Sequence, residues 1–254
     1  MKIGLQLYTL RAEMERDFVG GLRKVAEIGY EGVEFAGYGG LSPVELGKTL
    51  DELGLKALGS HISYENLLSE EQFPQEMAYC RELGMRYAII PYLQEKYRAD
   101  ENVLAETLRN FAHISEKCSR HGVQLCYHNH DFEFSQTFAG TTLFDTIFAR
   151  VPEHLLQVEL DTCWAHYAGA DPVAVMRKYR NRLPLVHLKD LRREEGKPLT
   201  VELGQGEVNV GAIIAAAKEL GVEWAIVEQD TCINPPFLSV AASMNWLIKG
   251  GYTG

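Results

Sequence analysis

The chain has 254 residues, 46% of them hydrophobic, and a formal net charge of −10. That length suits either two small domains or one large α/β barrel, with enough apolar residues for a sizeable core. The acidic balance opposes a phosphate backbone, and the densest basic group, Arg177, Lys178, Arg180 and Arg182, reads as the solvated end of a helix, so no nucleic-acid partner is expected.

The first residues, Met1-Lys2-Ile3-Gly4-Leu5-Gln6-Leu7, begin a strand at once without a signal pattern, and a cytoplasmic location is expected. No uncharged run approaches the roughly 18 residues needed to span a bilayer, so no membrane partner is expected either. Cys80, Cys118, Cys126, Cys163 and Cys232 are scattered, without a C-x-x-C pair, and read as reduced, mostly buried small hydrophobes.

Five helix ends share one punctuation: Glu27-Ile28-Gly29-Tyr30, Glu52-Leu53-Gly54-Leu55, Glu82-Leu83-Gly84-Met85, Arg120-His121-Gly122-Val123 and Glu219-Leu220-Gly221-Val222. Glycine has no Cβ, so it takes the left-handed position after a helix and turns the chain into the next strand. Amphipathic spacing places helices near Phe18–Ile28, Pro43–Leu53, Glu71–Leu83, Glu101–Arg120, Thr142–Arg150, Asp171–Tyr179, Val210–Leu220 and Phe237–Lys249. Asp17, Ser42 before Pro43, Asp171 before Pro172, and Asn209 are N-cap candidates.

Short apolar runs alternate with these helices: Ile3–Tyr8, Gly32–Phe35, Ala57–Ser60, Tyr87–Pro91, Val123–His128, Leu155–Asp161, Leu185–Lys189 and Ala225–Glu228. Eight alternating units predict a single-domain α/β fold, a (β/α)8 TIM barrel over residues 1–254. An open doubly wound sheet is the alternative, but the place after the first strand reads Gln6-Leu7-Tyr8-Thr9-Leu10-Arg11, without phosphate-cradling glycines. Residues 190–206, charged and glycine-bearing, read as a long mobile loop over the barrel mouth.

A barrel of this kind puts its active site at the C-terminal ends of the strands. There stand Gln6 and Tyr8; Glu34; His61; Tyr92; His128, His130 and Glu133; Asp161; His187 and Lys189; and Glu228 and Asp230. The densest stretch is Cys126-Tyr127-His128-Asn129-His130-Asp131-Phe132-Glu133-Phe134. Its two imidazoles and two acids are costly to bury unless they pair, bind a metal or face water. Asp161, His187 and Glu228 follow apolar runs at equivalent places on three successive strands. A His-plus-carboxylate set without thiolates suits one divalent ion, Mn²⁺, Mg²⁺, Co²⁺ or Zn²⁺.

These strand ends, H-N-H-D-F-E-F, V-E-L-D-T, V-H-L-K-D, L-G-Q-G-E-V-N and I-V-E-Q-D, resemble the sugar phosphate isomerase/epimerase family of xylose isomerase-like TIM barrels, from Lys2 to about Lys249. The resemblance implies a single divalent ion held by Glu, Asp, His and Glu from strands five to eight, with carboxylates moving a proton beside a sugar carbonyl. Asp161, His187 and Glu228 carry over directly. Many members read E-N-H where this chain has His128-Asn129-His130. Glu133, folding back from the loop, is therefore the expected fourth ligand, with His128 the alternative.

The activity so implied is a metal-dependent isomerase or epimerase acting on a sugar or keto-sugar, with Glu228, His130, His128 and Lys189 as proton-moving groups. Gln6, Glu34, His61 and Glu207 are the expected substrate contacts. A dehydratase or lyase acting on a keto-polyol or keto-glycoside is the alternative, since related barrels with His-rich fifth strands include such enzymes. An endonuclease IV-like nuclease and a non-catalytic sugar-binding protein are weaker readings: the first wants three clustered metals and a basic groove, and the second has no need of Asp161, His187 and Glu228. The aromatic loops at Tyr92, Tyr97 and Pro235-Pro236-Phe237 are candidates to pack against another copy of the chain.

Overall fold

A computed structural model describes residues 1–253. Eight strands form a closed barrel: β1 Lys2–Gln6, β2 Gly32–Phe35, β3 Lys56–His61, β4 Tyr87–Ile90, β5 Gln124–His128, β6 Gln157–Asp161, β7 Leu185–Leu188 and β8 Trp224–Val227. Each pairs in parallel with its sequence neighbours, and β1 closes on β8 through Lys2↔Trp224 to Leu5↔Val227.

Each connection carries a helix, and its ends follow local chemistry. Ser42 caps Pro43–Leu53 in a reciprocal box with Glu45, while Asp17, Asp171 and Asn209 each accept backbone N–H groups at their helix starts. Gly54 and Gly221, at φ 69° and 72°, end their helices in the left-handed region as the repeated punctuation predicts.

Side chains alternate in direction along the strands. Outward-facing residues such as Leu125, Tyr127, Val158, Leu160, Val186 and Leu188 join the large apolar layer between barrel and helices. Inward-facing Leu58, Tyr87, Ile89, Cys126, Leu185, Trp224 and Ile226 form a second cluster that plugs the lower barrel. Inward positions above this plug are polar and buried: Gln6, Glu34, His128, Glu159, Asp161, His187 and Glu228.

Two segments depart from the sequence-based expectation. Residues 190–206 are not one unstructured loop: Asp190–Glu194 pairs antiparallel with Lys197–Val201. The buried carboxylate of Asp190 then accepts the N–H groups of Leu191, Gly204, Gly206 and Val208. A Cβ on Gly206 would lie 2.2 Å from Asp190 Oδ1, so only glycine fits this turn. The first strand also stops early, because Gln6 Oε1 accepts the N–H of Tyr8 and starts a 3₁₀ turn over Leu7–Leu10. Among the described residues no helix is long and apolar enough to cross a membrane.

Candidate active site

Backbone staples hold neighbouring strand ends in register. Asn129, between the two histidines after β5, accepts the Asp161 N–H at 3.0 Å and donates to the Asp161 carbonyl at 3.1 Å. Thr162 Oγ1 donates to the carbonyl of His187 at 2.8 Å, and the N–H of Gln229 donates to Thr9 Oγ1 at 3.0 Å. Asp161 Oδ1 caps the short helix Thr162–Tyr167, which leaves Oδ2 turned to the barrel interior.

His128, Asp161, His187 and Glu228 thereby converge, all buried, with one donor atom from each inside a 4.8 Å cluster. His187 Nδ1 is 2.7 Å from Glu228 Oε2, and His128 Nε2 is 3.7 Å from Asp161 Oδ2. Lys189 is buried beside them, its Nζ 2.8 Å from Glu228 Oε2, 2.9 Å from Asp161 Oδ2 and 3.0 Å from Asp230 Oδ2. Nζ donates its hydrogen bond to Asp230 Oδ1 at 3.2 Å, while Asp161 Oδ2 and Asp230 Oδ2 have only the ion-pair contact and no aligned donor.

A further layer lies beneath. Gln6 Nε2 donates to Glu34 Oε2 at 2.6 Å, and His61 Nε2 is 3.1 Å from Glu34 Oε2 and 2.9 Å from Glu159 Oε2. His128 Nδ1 is 3.0 Å from Glu159 Oε2, and His187 Nε2 is 2.9 Å from Glu34 Oε2.

Four buried carboxylates, Glu34, Glu159, Asp161 and Glu228, and the partly exposed Asp230 thus face one ammonium and a set of imidazoles. Burial works against charge on Glu228, but the Lys189 ammonium and His187 outweigh it and hold its carboxyl well below the usual range. Burial likewise works against the Lys189 ammonium, and Asp161, Asp230 and Glu228 outweigh it in raising its pKa. His61, next to Glu34 and Glu159, is pushed up to about 10 despite its burial. His130 is the opposite case: burial, then Lys189, pull it down to about 4, so it is neutral near pH 7.

A divalent ion fits this donor set. Two imidazoles and two carboxylates stand within coordinating reach of one point, Asp161 Oδ2 has no hydrogen-bond donor, and the surrounding carboxylates exceed the fixed positive charge.

Above the group opens a cavity of about 520 Å³, lined among others by Tyr8, His61, Tyr92, His128, His130, Lys189, Glu228 and Asp230. His130 Nδ1 is buried without a partner. The ring lies between Tyr92, 5.2 Å away edge-on, and Trp164, 6.0 Å away and stacked.

Several expected site residues lie elsewhere. Glu133 is not brought to the cluster: Oε1 accepts the hydroxyl of outward-facing Tyr127 at 2.6 Å, and Oε2 accepts the N–H of His130 at 2.8 Å. It stands in the one-turn helix Phe132–Ser135, where strand alternation no longer aims side chains inward, and His128 occupies the place expected of it. Gln6 and Glu34 are sealed beneath the cavity, Gln6 with both amide atoms used. Glu207 lies on the outer rim with Arg193 at 3.0 Å and His166 at 3.3 Å.

Glu159 is the residue that sequence reasoning missed. It lies two positions before Asp161 on β6, and the same alternation that turns Asp161 inward turns Glu159 inward as well. Trp164, whose buried Nε1 lacks a partner beside His130, carried no signal beyond its place after the D-T pair.

Fold and site together define a barrel with a buried His-and-carboxylate centre at the mouth. The chain belongs to the xylose isomerase-like TIM barrel family, which matches residues 22–250. It is 27% identical to an inosose dehydratase of Geobacillus kaustophilus over 85% of this chain and 82% of that one. An inosose dehydratase of Clostridium beijerinckii is 25% identical over 88% of this chain and 86% of its own. A sugar phosphate isomerase/epimerase from Parabacteroides distasonis superposes with a TM-score of 0.83 at 25% identity, covering 100% of this chain and 96% of that one. An L-ribulose 3-epimerase shares the fold at TM-score 0.72 and 14% identity, over 98% of this chain and 94% of that one.

Proposed function

We propose that this chain is a divalent-metal-dependent dehydratase of an uncharged keto-polyol, opening its reaction by removing a proton from the carbon next to the carbonyl. The observation that carries this reading is the pairing, in one cavity, of a neutral imidazole, His130, and a buried ammonium, Lys189.

His128, Asp161, His187 and Glu228 would hold the ion, which supplies Lewis-acid polarisation of the substrate carbonyl when bound. The His130 imidazole takes the proton as the C–H bond breaks, the electron pair left behind delocalises onto the carbonyl oxygen, and it returns to form the new carbon–carbon double bond as the leaving hydroxyl departs. The C–O bond one carbon further on then breaks, and the hydroxyl leaves as water with a proton from Lys189. Proton exchange through solvent restores both side chains. Where the carbon beside the carbonyl also bears a hydroxyl, the product is the enol of a 1,2-diketone.

Two observations favour elimination over epimerisation. Epimerisation by paired carboxylates needs a second glutamate across the substrate, whereas β5 ends in His128 and Glu133 is turned toward Tyr127. The curated relatives quoted above are also named for a dehydratase. The substrate is read as uncharged because Lys189 is engaged by three carboxylates, while Arg192 and Arg193 pair with Glu194 and Glu207 on the exposed ribbon.

The test is incubation of Mn²⁺-loaded protein with a keto-inositol in D₂O. Expected are a new ultraviolet band of the unsaturated or dicarbonyl product, and deuterium at the α-carbon of recovered substrate wherever proton removal is reversible. Accumulation of an epimer without the ultraviolet product would replace the dehydratase reading with an epimerase. Absence of both turnover and exchange would retire proton removal beside a carbonyl for this substrate class.

A further inference from the structure

His128 and His187 each stand between two levels of carboxylates. Toward the cavity, His128 Nε2 faces Asp161 and His187 Nδ1 faces Glu228; toward the plug, His128 Nδ1 faces Glu159 at 3.0 Å and His187 Nε2 faces Glu34 at 2.9 Å. The lower level, His61, His128, Glu159 and His187, is as tight as the upper one, with one donor atom from each inside 4.8 Å. By shape alone, either level could hold an ion.

A neutral imidazole has one N–H and one lone pair, so His128 and His187 can offer lone pairs to only one level at a time. The upper level opens on the cavity and contains Asp161 Oδ2, which no donor satisfies. The lower level meets the cavity only at His61, rests on the apolar plug beneath it, and has Glu159 Oε2 already within 3.3 Å of three imidazole nitrogens. Ionised carboxylates only accept hydrogen bonds, so the one N–H of His187 is contested by Glu228 at 2.7 Å and Glu34 at 2.9 Å, and an ion held by Glu228 leaves Glu34 as its acceptor.

We propose that Glu159, assisted by Glu34, is the positioning residue that fixes the two ligand tautomers. Glu159 receives Nδ1–H of His128 and Glu34 receives Nε2–H of His187. The lone pairs of His128 Nε2 and His187 Nδ1 are thereby presented upward beside Asp161 and Glu228. The assignment rests on the metal-dependent reading of the site, and adds that the ion has one level to enter because Glu159 and Glu34 hold the other shut. Carboxylates behind ligating imidazoles typically contribute 10–100-fold in metal affinity.

Two measurements test this. Co²⁺ affinity, by competition with a chromogenic chelator, and the visible Co²⁺ spectrum are compared for wild type, Glu159→Gln, Glu159→Asp and Asp161→Asn. Expected for Glu159→Gln is a roughly 10–100-fold weaker affinity with shifted visible bands, for Glu159→Asp partial recovery of both, and for Asp161→Asn a larger loss than either. Independently of any variant, long-range ¹H–¹⁵N spectra of Zn²⁺-loaded wild type read the tautomers directly, with the proton expected on Nδ1 of His128 and on Nε2 of His187.

Equal affinity and an unchanged spectrum in Glu159→Gln would overturn the positioning role. Opposite tautomers, or a greater loss in Glu159→Gln than in Asp161→Asn, would move the ion to the lower level and make Glu159 a ligand. Wild type that binds neither Co²⁺ nor Zn²⁺ would overturn the metal-dependent reading itself, and with it the inference.

Discussion

The end of β5 and the ends of β6, β7 and β8 all carry acids and histidines, yet they translate into space differently. On the later three strands Asp161, His187 and Glu228 converge, each at an inward-facing position within its strand or immediately past the strand's end. On β5 the strand ends at His128, and the chain has entered another helix turn before it reaches Glu133. A period of two predicts direction only while the backbone remains extended. Five residues past that limit, Glu133 serves the loop by accepting from Tyr127 and from the backbone of His130.

The sharpest way to break this comparison is at the convergent ends. Asp161→Asn and His187→Ala are expected to lose the divalent ion by more than the roughly 100-fold that removal of an orienting partner costs. His128→Asn should join them, since the structure gives His128 the place expected of Glu133. Elemental analysis of the purified variants checks all three, and full occupancy in His128→Asn would restore the question of the fourth ligand.

Next in size is the free imidazole. His130→Ala should lower kcat by about 10²–10⁴, the usual contribution of a positioned proton-transfer group, with metal content unchanged. Because burial and Lys189 hold His130 near 4, its protonation should limit the reaction only on the acid side, well below the ordinary histidine range. A kcat within a few-fold of wild type would remove His130 from the chemistry.

Most of the fold was legible because its signals are local and repeated. Capping residues such as Ser42 and Asp171, and left-handed glycines such as Gly54 and Gly221, act within a few residues of themselves. The inward placement of Asp161, His187 and Glu228 was legible for the same reason. Strand alternation turns Glu159 inward as well, but it lies one pleat below the strand end, where an acid in an apolar run carries no signal of its own. The ribbon Asp190–Glu194/Lys197–Val201 was harder, because what organises it is Asp190 gathering N–H groups up to 18 residues away. The direction of Glu133 depends on Tyr127, a residue whose outward orientation matters only once the barrel exists.

Glu133→Gln separates the two roles considered for this residue. A ligand lost there would release the ion; a loop carboxylate lost there should leave metal content at the wild-type level. The effect should instead appear in stability. Burial pushes the Glu133 carboxyl up to about 7 from its ordinary 4.5, although Tyr127 and the His130 N–H oppose the shift. An acid raised in the folded state binds its proton more tightly there than in the unfolded chain. Its contribution to stability is therefore fully present below pH 4.5 and is lost as pH rises through about 7. That window is worth on the order of 3 kcal/mol. Glutamine keeps an acceptor for the His130 N–H and a donor for the Tyr127 oxygen but has no proton to lose. Relative to wild type, the variant should thus be neutral or slightly destabilised at pH 5 and gain steadily toward pH 8. Denaturant unfolding of both proteins across that range measures the difference, and a gap that does not change with pH would show that Glu133 does not titrate in the folded protein as its burial requires.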